Sequence, residues 1–345
     1  MCTGSSGDRV AHSECVGREF ESHSVHQNNE FLYMEVLMLK KVINGELKLS
    51  MAASDMLFAL AIIVRSSALL FSAIAMRNLA PFNVLAVRFL LAFVILFILF
   101  RKRFMSLSKT NFIYGLAVGL SFFSCMAFEM FALKYAPSSK VAFLENLAMV
   151  FVPLIDAVLL RSLPKFSAIL SAFIAMIGVA LLTLGESGKM TLSKGEILAI
   201  LAAFGFAVTI IVTDRVAKKG DSFMIGVVQV GVIGVASLIC SFIFESFSLP
   251  SSFDQWGAII YLALVATCIG FVIQPIAQSG TTSEHTGLIS SLNPVVAAIL
   301  GAIFLGERFG AKGILGAALI LTAILIQNYL EKVSQKRTIS KDDRI

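Results

Sequence analysis

The sequence predicts an all-α membrane protein of about ten transmembrane helices, arranged as two inverted five-helix repeats. Three observations lead to this fold class: the composition, the length of the apolar runs, and a similarity between the two halves of the chain. Hydrophobic residues make up 57% of the 345 positions and charged residues 14%, with a mean hydropathy of +0.87. A soluble domain carries about 25% charged residues. A chain so poor in charge needs a lipid environment, where only helices and closed barrels satisfy the backbone.

The apolar runs have the length of membrane-spanning helices. A spanning helix needs about twenty apolar residues, whereas a barrel strand has about ten that alternate in polarity. The runs here are continuous and close to twenty residues long, and the short connections leave no room for a large soluble domain. The ten runs lie near 56–76, 80–100, 111–133, 140–160, 166–184, 196–213, 223–244, 256–277, 287–305 and 313–330.

The two ends of the chain are polar. Residues 1–50 hold three of the four histidines and two of the five cysteines, but their spacing matches no zinc motif. We expect a disordered tail there and no metal site. Met34, Met38 and Met51 are alternative starts, so this tail is not firmly assigned to the native protein. Residues 331–345 form a basic cytoplasmic tail, and no cleaved signal peptide is visible.

Positive charges predict the orientation, because Lys and Arg concentrate in cytoplasmic loops. With the amino terminus placed inside, seventeen Lys and Arg residues fall in cytoplasmic segments and seven in external ones. We therefore expect a multi-pass protein of the cell membrane with both termini in the cytoplasm. The same bias accounts for the net charge of +6, so nucleic acid is not an expected partner.

A shift of 145 residues aligns the second half of the chain with the first. Ser138 then falls on Ser283 and Leu147 on Leu292, with apolar residues facing apolar residues through most of the window. Five helices is an odd number, so the two halves have opposite orientations in the membrane, which is the inverted-repeat design used for alternating access. The predicted repeats are residues 51–185 and 190–330.

Short motifs resemble the EamA-type repeat of the drug/metabolite transporter superfamily. In the second half these are Gln274 and Gln278, Asn293-Pro294, Gly306-Glu307-Arg308, and Gly313 with Gly316. The first half resembles the repeat more loosely, through Pro81, Arg88, Ala136-Pro137-Ser138-Ser139 and Gly178. The resemblance covers about residues 52–330. It implies two inverted repeats around a central cavity, and export or exchange of small organic solutes such as amino acids, related metabolites or drugs.

Two positions depart from the family pattern. Ser162 stands at the register of Glu307, so the loop carboxylate is missing from the first repeat. Met149 stands at the register of Pro294, and the first-half proline, Pro153, comes one turn later. The motifs therefore assign no function to the loop between the fourth and fifth helices.

Ionisable residues inside apolar runs are the main candidates for a functional site, because a central Arg or Asp costs about 2.5–3.5 kcal/mol on insertion scales. Arg65 is predicted to bind an anionic group of the substrate, since a guanidinium matches a carboxylate. Glu129 and Glu145 are candidates for proton coupling or cation recognition. The alternative, that these charges pair and hold helices together, stays open and is preferred for Arg88. Asp156 lies near the end of its helix, where an anchoring role is expected.

The second half of the chain offers amides and hydroxyls in place of buried charges, and each of these also suits helix packing. The predicted substrate-binding set is Arg65, Ser66, Glu145, Asn146, Gln274, Ser291 and Asn293. Glu129 and Glu145 form the coupling set. Arg88, Pro153, Pro294 and Glu307 are assigned structural roles. No catalytic residue, metal ligand or cofactor is predicted.

Several function classes compete with a metabolite exporter. An enzyme is not expected, because there is no P-loop and His285 is the one histidine outside the tail. A channel or lipid scramblase would be a different class, but no filter-like repeat is present. A multidrug exporter of broad specificity remains the alternative among transporters, although two buried arginines favour an anionic or zwitterionic solute. The expected partners are a small-molecule substrate and the lipid bilayer, and a homodimer is left open.

Overall fold

The computed structural model describes residues 49–159, 161, 166–183, 193–282, 286, 289–290, 292–306 and 310–342. These residues are helical apart from turns and short connections. The helices are α1 (Met51–Ala75), α2 (Pro81–Leu99), α3 (Arg101–Met105), α4 (Lys109–Tyr135), α5 (Ser138–Glu145), α6 (Ala148–Leu159), α7 (Phe166–Thr183), α8 (Lys194–Ala217), α9 (Ser222–Phe244), α10 (Phe253–Tyr261), α11 (Gly270–Ser279), α12 (Leu292–Phe304) and α13 (Ala311–Asp342). A π-helical segment, Leu262–Ile269, joins α10 to α11.

Seven helical spans in the described part of the chain are long and apolar enough to cross a membrane. Two of them combine elements, since α5 and α6 form one span and α10, the π-helical segment and α11 form another. Shorter apolar helices occupy Ile169–Gly178, Leu292–Phe304 and Ala311–Ala323. The predicted all-helical membrane fold is confirmed. The seven long spans coincide with seven of the ten apolar runs of the sequence, and the count of ten membrane-spanning helices stays a prediction.

Polar caps mark where several of the spans begin. Ser50, Ser108 and Asp221 each accept a hydrogen bond from the backbone three residues further on, at the starts of α1, α4 and α9. Ser193 and Ser252 form capping boxes with the residues three positions later, which start α8 and α10. Such caps satisfy N–H groups that a helix leaves without partners in its first turn.

The helices pair across the chain. Helix α4 packs against α8 and α9, α2 against α9, α7 against α13, and α1 against α11 and α12. One of the apolar cores lies where α1, the start of α2, α10 and the π-helical segment meet, and it includes Ala75, Val84, Ile259 and Leu262. The polar residues described below come from different helices that are far apart in the chain, so this pairing is what brings them together.

The two ends of the bundle differ in charge. One end carries α3 with Arg101, Lys102 and Arg103, and we call it the basic end. There the Arg103 guanidinium pairs with Asp221, the cap of α9, at 2.8 Å between Nη2 and Oδ2. Helix α3 directly follows α2, so this ion pair ties the end of α2 to the start of α9.

The opposite end, which we call the cleft end, contains a cleft of about 520 Å³ between the end of α1, the start of α10 and the end of α12. Near it, the Glu245 carboxylate after α9 accepts hydrogen bonds from the backbone N–H groups of Phe82 and Asn83 in the first turn of α2. A carboxylate is favourable at this position because the helix dipole is positive at its amino end. Lys140 and Glu196 form an ion pair between α5 and α8.

Small residues allow α4 and α9 to approach closely. A Cβ atom added at Gly115 would lie 2.5 Å from Val228 Cβ, and one added at Gly119 would lie 2.6 Å from Val232 Cβ. Real Cβ atoms do not come this close, so any side chain at either position must push the helices apart. This is the close packing of small residues that holds helices together in membranes.

We predict that Gly119→Ala lowers the thermal stability of the detergent-purified protein. Overpacking of this kind costs about 1–3 kcal/mol, which outweighs the better helix propensity of alanine. The matched control is Gly257→Ala, because a Cβ atom at Gly257 would meet nothing within 4 Å. Thermal unfolding followed by fluorescence measures both variants. Equal melting temperatures would contradict this description of the α4–α9 contact.

Candidate functional site

Arg65 lies at the centre of the predicted site, on α1. Its Nη1 donates a hydrogen bond to Oε1 of Gln274 on α11, with a separation of 2.6 Å. Its Cζ lies 5.1 Å from the ring centroid of Phe122, 5.4 Å from that of Phe206 and 4.6 Å from that of Phe271. These three rings come from α4, α8 and α11, so the guanidinium points into the bundle between four helices. Cation–π contact with each ring stabilises the charge by about 0.5–2 kcal/mol.

The span that faces Arg65 is irregular at this depth. A Cβ atom added at Gly270 would lie 2.7 Å from Cγ of Arg65, so glycine is needed where the arginine side chain crosses α11. Pro275 has no N–H to donate to the carbonyl of Phe271, four residues earlier. Nε2 of Gln229 on α9 donates to that carbonyl instead, at 2.6 Å. The π-helical segment lies directly before Gly270, and such segments are frequent at functional sites.

Arg88 on α2 is held more tightly than Arg65. It is 1% exposed, whereas Arg65 is half-buried. Nε of Arg88 donates to Oγ1 of Thr267 in the π-helical segment at 2.8 Å. Its Cζ lies 4.9 Å from the ring centroid of Phe89 and 5.7 Å from that of Phe271. The Phe271 ring is therefore shared by the two arginines.

Two carboxyl groups and a thiol lie together beside the arginines. Cys125 and Glu129 are one turn apart on α4, and Glu145 ends α5. Ligand atoms of the three side chains all lie within 4.8 Å of one another, and the thiol of Cys125 donates to Oε1 of Glu145 at 3.7 Å. All three side chains are buried. Glu145 is brought here by a local break in the helix, since Asn146 and Leu147 form a turn before α6 begins.

The four ionisable groups are close in space but do not form ion pairs. Within the described residues, no nitrogen of Arg65 or Arg88 lies within 4.0 Å of a carboxylate oxygen. Arg65 interacts electrostatically with Glu145 and Glu129, and Arg88 with Glu129. The centre thus has a basic pole and an acidic pole whose formal charges sum to zero. One thiol and two carboxylates can also ligate a divalent metal, but two adjacent guanidinium groups make an ammonium group or a proton a better partner for the acidic pole.

Other predicted residues lie around this centre. Ser66 is buried and its hydroxyl donates to the carbonyl of Ile62 in its own helix, at 2.7 Å. Asn146 is buried beside Glu145, and its Nδ2 has no hydrogen-bond partner among the described residues. Pro294 is buried and Asn293 partly buried at the start of α12. Pro153 lies inside α6.

Four predictions lie wholly or largely outside the described residues. These are the disordered tail without a metal site at residues 1–50, of which 1–48 are not described, the binding role of Ser291, the structural role of Glu307 and the departure at Ser162. Asp156, for which an anchoring role is expected, forms an ion pair with Arg215, at 3.7 Å between Oδ1 and Nη2.

Comparison with models of protein families places the chain in a family. The model of the EamA-like transporter family matches it twice, over residues 52–184 and 193–329. The chain belongs to the EamA-like transporter family. The resemblance read from the motifs is confirmed, and the chain is a multi-pass membrane protein of a transporter family.

Related proteins are also named as transporters. An uncharacterized transporter of Archaeoglobus fulgidus is 25% identical over 263 residues, which are 74% of this chain and 90% of that protein. A second one from the same organism is 23% identical over 90% of this chain and 98% of its own length. The uncharacterized transporter YetK of Bacillus subtilis is 24% identical over 69% and 76% of the two chains.

A solved structure supports the fold. One crystal structure aligns with a TM-score of 0.62 at 18% identity, covering 81% of this chain and 97% of that one. At this identity the likeness concerns the fold alone, and it shows that a similar arrangement of helices occurs in an experimentally determined protein.

Several residues of this centre were not predicted from the sequence. Phe122, Phe206 and Phe271 are three of 29 phenylalanines, and nothing in the sequence distinguishes them from the others. Thr267, the acceptor for Arg88, was not predicted either. Gly270 was a usable signal, since a glycine inside an apolar helix indicates close approach of another group.

We predict that Thr267→Val destabilises the protein, because the buried Arg88 loses its hydrogen-bond acceptor. Hydrogen bonds to charged groups contribute about 1.5–3 kcal/mol. Thr209→Val is the control, since Thr209 is equally buried but donates to the carbonyl of Gly205 in its own helix. The measurement is the melting temperature of each purified variant. A loss no greater for Thr267→Val than for Thr209→Val would show that Arg88 does not depend on this contact.

Proposed function

We propose that this protein moves small organic solutes, amino acids or related metabolites, by alternating access, and that it acts as a proton-coupled exporter. The observation that carries the proposal is the centre with its two poles, in which Arg65 faces inward beside the carboxyl groups of Glu129 and Glu145. A zwitterion has one group for each pole. Its carboxylate suits the guanidinium, and its ammonium group suits the carboxylates.

The basic pole has donors to spare. A guanidinium carries five N–H groups, and Arg65 uses one hydrogen bond, to Gln274, within the described residues. The side chain is only half-buried although it points between helices, which leaves surface that a solute can reach. A carboxylate can therefore bind without displacing another carboxylate first. This supports the predicted substrate-binding role of Arg65 and Gln274.

The acidic pole supports coupling to protons. Two carboxyl groups this close in a site away from water repel each other when both are ionised, and a proton shared between them removes the repulsion. An ammonium group does the same. Binding of the proton and binding of the solute then compete for Glu129 and Glu145, which is the exchange that a proton-driven exporter requires.

The helix pairing supports ten helices in two inverted repeats. Helix α4 packs on α8, and the α10–α11 span packs on α1, which is the same pairing with the halves exchanged. Helices α2 and α9, and likewise α7 and α13, pair between the halves. The two family matches have nearly equal lengths. With the basic end in the cytoplasm of a cell-membrane protein, both termini are cytoplasmic and the cleft is external.

A multidrug exporter is the second candidate, and the three phenylalanines favour it. Phe122, Phe206 and Phe271 surround a cation, and the same rings would hold an organic cation if Arg65 moved aside. The carboxyl groups would then attract the cation. This candidate predicts broad competition among cationic dyes, whereas the first predicts narrow competition among carboxylate-bearing solutes.

We predict that Arg65→Gln lowers the apparent affinity for a carboxylate-bearing solute by at least about tenfold, the equivalent of one charge-assisted hydrogen bond. Purified protein in proteoliposomes is tested with labelled amino acids, small carboxylates and a cationic dye. Arg101→Gln, at an exposed position on the basic end, should leave the affinity unchanged. Unchanged affinity in Arg65→Gln would remove its substrate role. Uptake of the dye alone would favour the multidrug candidate, and passive flux of many solutes would favour a channel or scramblase.

We predict that Glu129→Gln or Glu145→Gln abolishes the effect of a pH gradient on solute flux. Exchange of solute across the vesicle membrane should be retained. An amide cannot exchange a proton, but it still hydrogen-bonds the solute. Asp254→Asn, at an exposed position of the cleft, is the control and should retain the gradient effect. If both buried variants still respond fully to the gradient, the coupling role lies elsewhere.

A further inference from the structure

Two helices that contact Arg65 continue toward the basic end with polar residues on the same faces. Phe206 of α8 and Phe271 of α11 both contact the guanidinium. Thr213 and Gln278 each lie seven residues further along their own helix. Seven residues are close to two helical turns and about 10 Å of rise. Each polar side chain therefore lies on the face that carries the phenylalanine.

The same seven-residue step from the rings that contact Arg65 places Thr213 and Gln278 at a similar depth in the bundle. Helices α8 and α11 run in the same direction, because the spans before and after α9 are both antiparallel to it. They contact each other, and both end at the basic end, at Ala217 and Ser279. Gln274, which accepts the hydrogen bond from Arg65, lies one turn before Gln278 and connects the two levels.

The polar side-chain atoms at this depth have no hydrogen-bond partner among the residues that the structure describes. Thr213 and Gln278 are 0% exposed, yet Oγ1 of Thr213 and both Oε1 and Nε2 of Gln278 make no hydrogen bond within the described chain. Nε2 of Gln274 is also unpartnered. Buried polar groups are nearly always hydrogen-bonded, since an unmade bond carries the full cost of desolvation. Gln274, Gln278 and Thr213 thus carry unpartnered polar atoms on the path from the Arg65 centre toward the basic end. Such a path indicates a place where a ligand supplies the hydrogen bonds.

We propose that Thr213 and Gln278 form a second solute-binding station between the Arg65 centre and the basic end. This proposal rests on the proposed transport function. A hydroxyl and an amide offer donors and acceptors without charge, so the station takes the uncharged hydrogen-bonding groups of a solute in transit. Neutral hydrogen bonds are about half as strong as those to charged groups. The solute is therefore held less firmly here than at Arg65, which suits a site of passage.

Thiol labelling tests whether the station is reachable. Thr213→Cys and Gln278→Cys are treated in proteoliposomes with a small charged methanethiosulfonate reagent, and intact mass counts the adducts relative to the unsubstituted protein. Each variant should gain one adduct. Ala277→Cys is the matched control, because Ala277 is equally buried but belongs to an apolar cluster with Phe58 and Ile62, and it should gain none. If Thr213→Cys or Gln278→Cys gains no adduct, the proposal is overturned.

Stability and turnover test whether the station binds solute. Gln278→Leu removes an unsatisfied amide, so the melting temperature should rise while turnover falls about fivefold, the equivalent of one hydrogen bond. Gln229→Leu is the control, since Gln229 is equally buried but donates to Phe271, and its loss should lower the melting temperature. A melting temperature that falls in Gln278→Leu, or turnover that is unchanged, overturns the binding role.

The two tests separate this proposal from the transport proposal. Labelling and thermal stability need no solute, so they report on the station even if no substrate is found. Absence of flux in the unsubstituted protein would count against the proposed function. A labelled station in a protein that transports, with normal turnover in Gln278→Leu, would count against the station alone.

Discussion

The contact on which the centre depends is that of Phe271 with two guanidinium groups. Its ring centroid lies 4.6 Å from Cζ of Arg65 and 5.7 Å from Cζ of Arg88. A charge in the middle of a membrane protein is expensive unless it is paired or stabilised in another way. Here no carboxylate pairs directly with either arginine in the described structure, so aromatic faces and single neutral acceptors carry much of that task. The arginine charges are therefore stabilised without a direct ion pair, and the carboxyl groups of Glu129 and Glu145 are not occupied by an arginine.

The irregular span from Phe253 to Ser279 makes that contact geometrically feasible. The π-helical segment places Thr267 at Arg88, Gly270 leaves room for the Arg65 side chain, and Gln274 receives its hydrogen bond. Pro275 leaves the Phe271 carbonyl without its usual donor, and the amide of Gln229 replaces it. Non-helical backbone is tolerated at membrane depth where it is buried in protein and its groups find other partners. The irregular span and the positions of the two arginines therefore depend on each other.

Part of this structure could be predicted from the sequence, for identifiable physical reasons. Long apolar runs specify spanning helices because lipid allows few alternatives, and a charge in such a run is conspicuous, which is why Arg65 and Glu145 are candidates from the sequence alone. The sequence could not reveal that Arg65 meets Gln274, because 209 positions separate them and only the pairing of α1 with α11 brings them together. Thr267 and the phenylalanines escaped notice because their types are ordinary in a membrane helix. The break after Glu145 could not be predicted, because neither residue of the turn, Asn146 or Leu147, is a glycine or a proline.

Ion pairs and hydrogen bonds between helices indicate which parts of the bundle are fixed and which can move. Helices α2 and α9 are joined at both ends, by Arg103 with Asp221 at the basic end and by Glu245 with the first turn of α2 at the cleft end. Such a doubly tied pair resists sliding or tilting. Helix α4 belongs with this pair, because Gly115 and Gly119 pack closely on α9. Arg65 on α1 is held instead by one hydrogen bond, to Gln274, and by contacts with three aromatic rings. Under the proposed alternating access, Arg65 is therefore the charge best placed to change its surroundings, while Arg88 stays on the doubly tied helix α2.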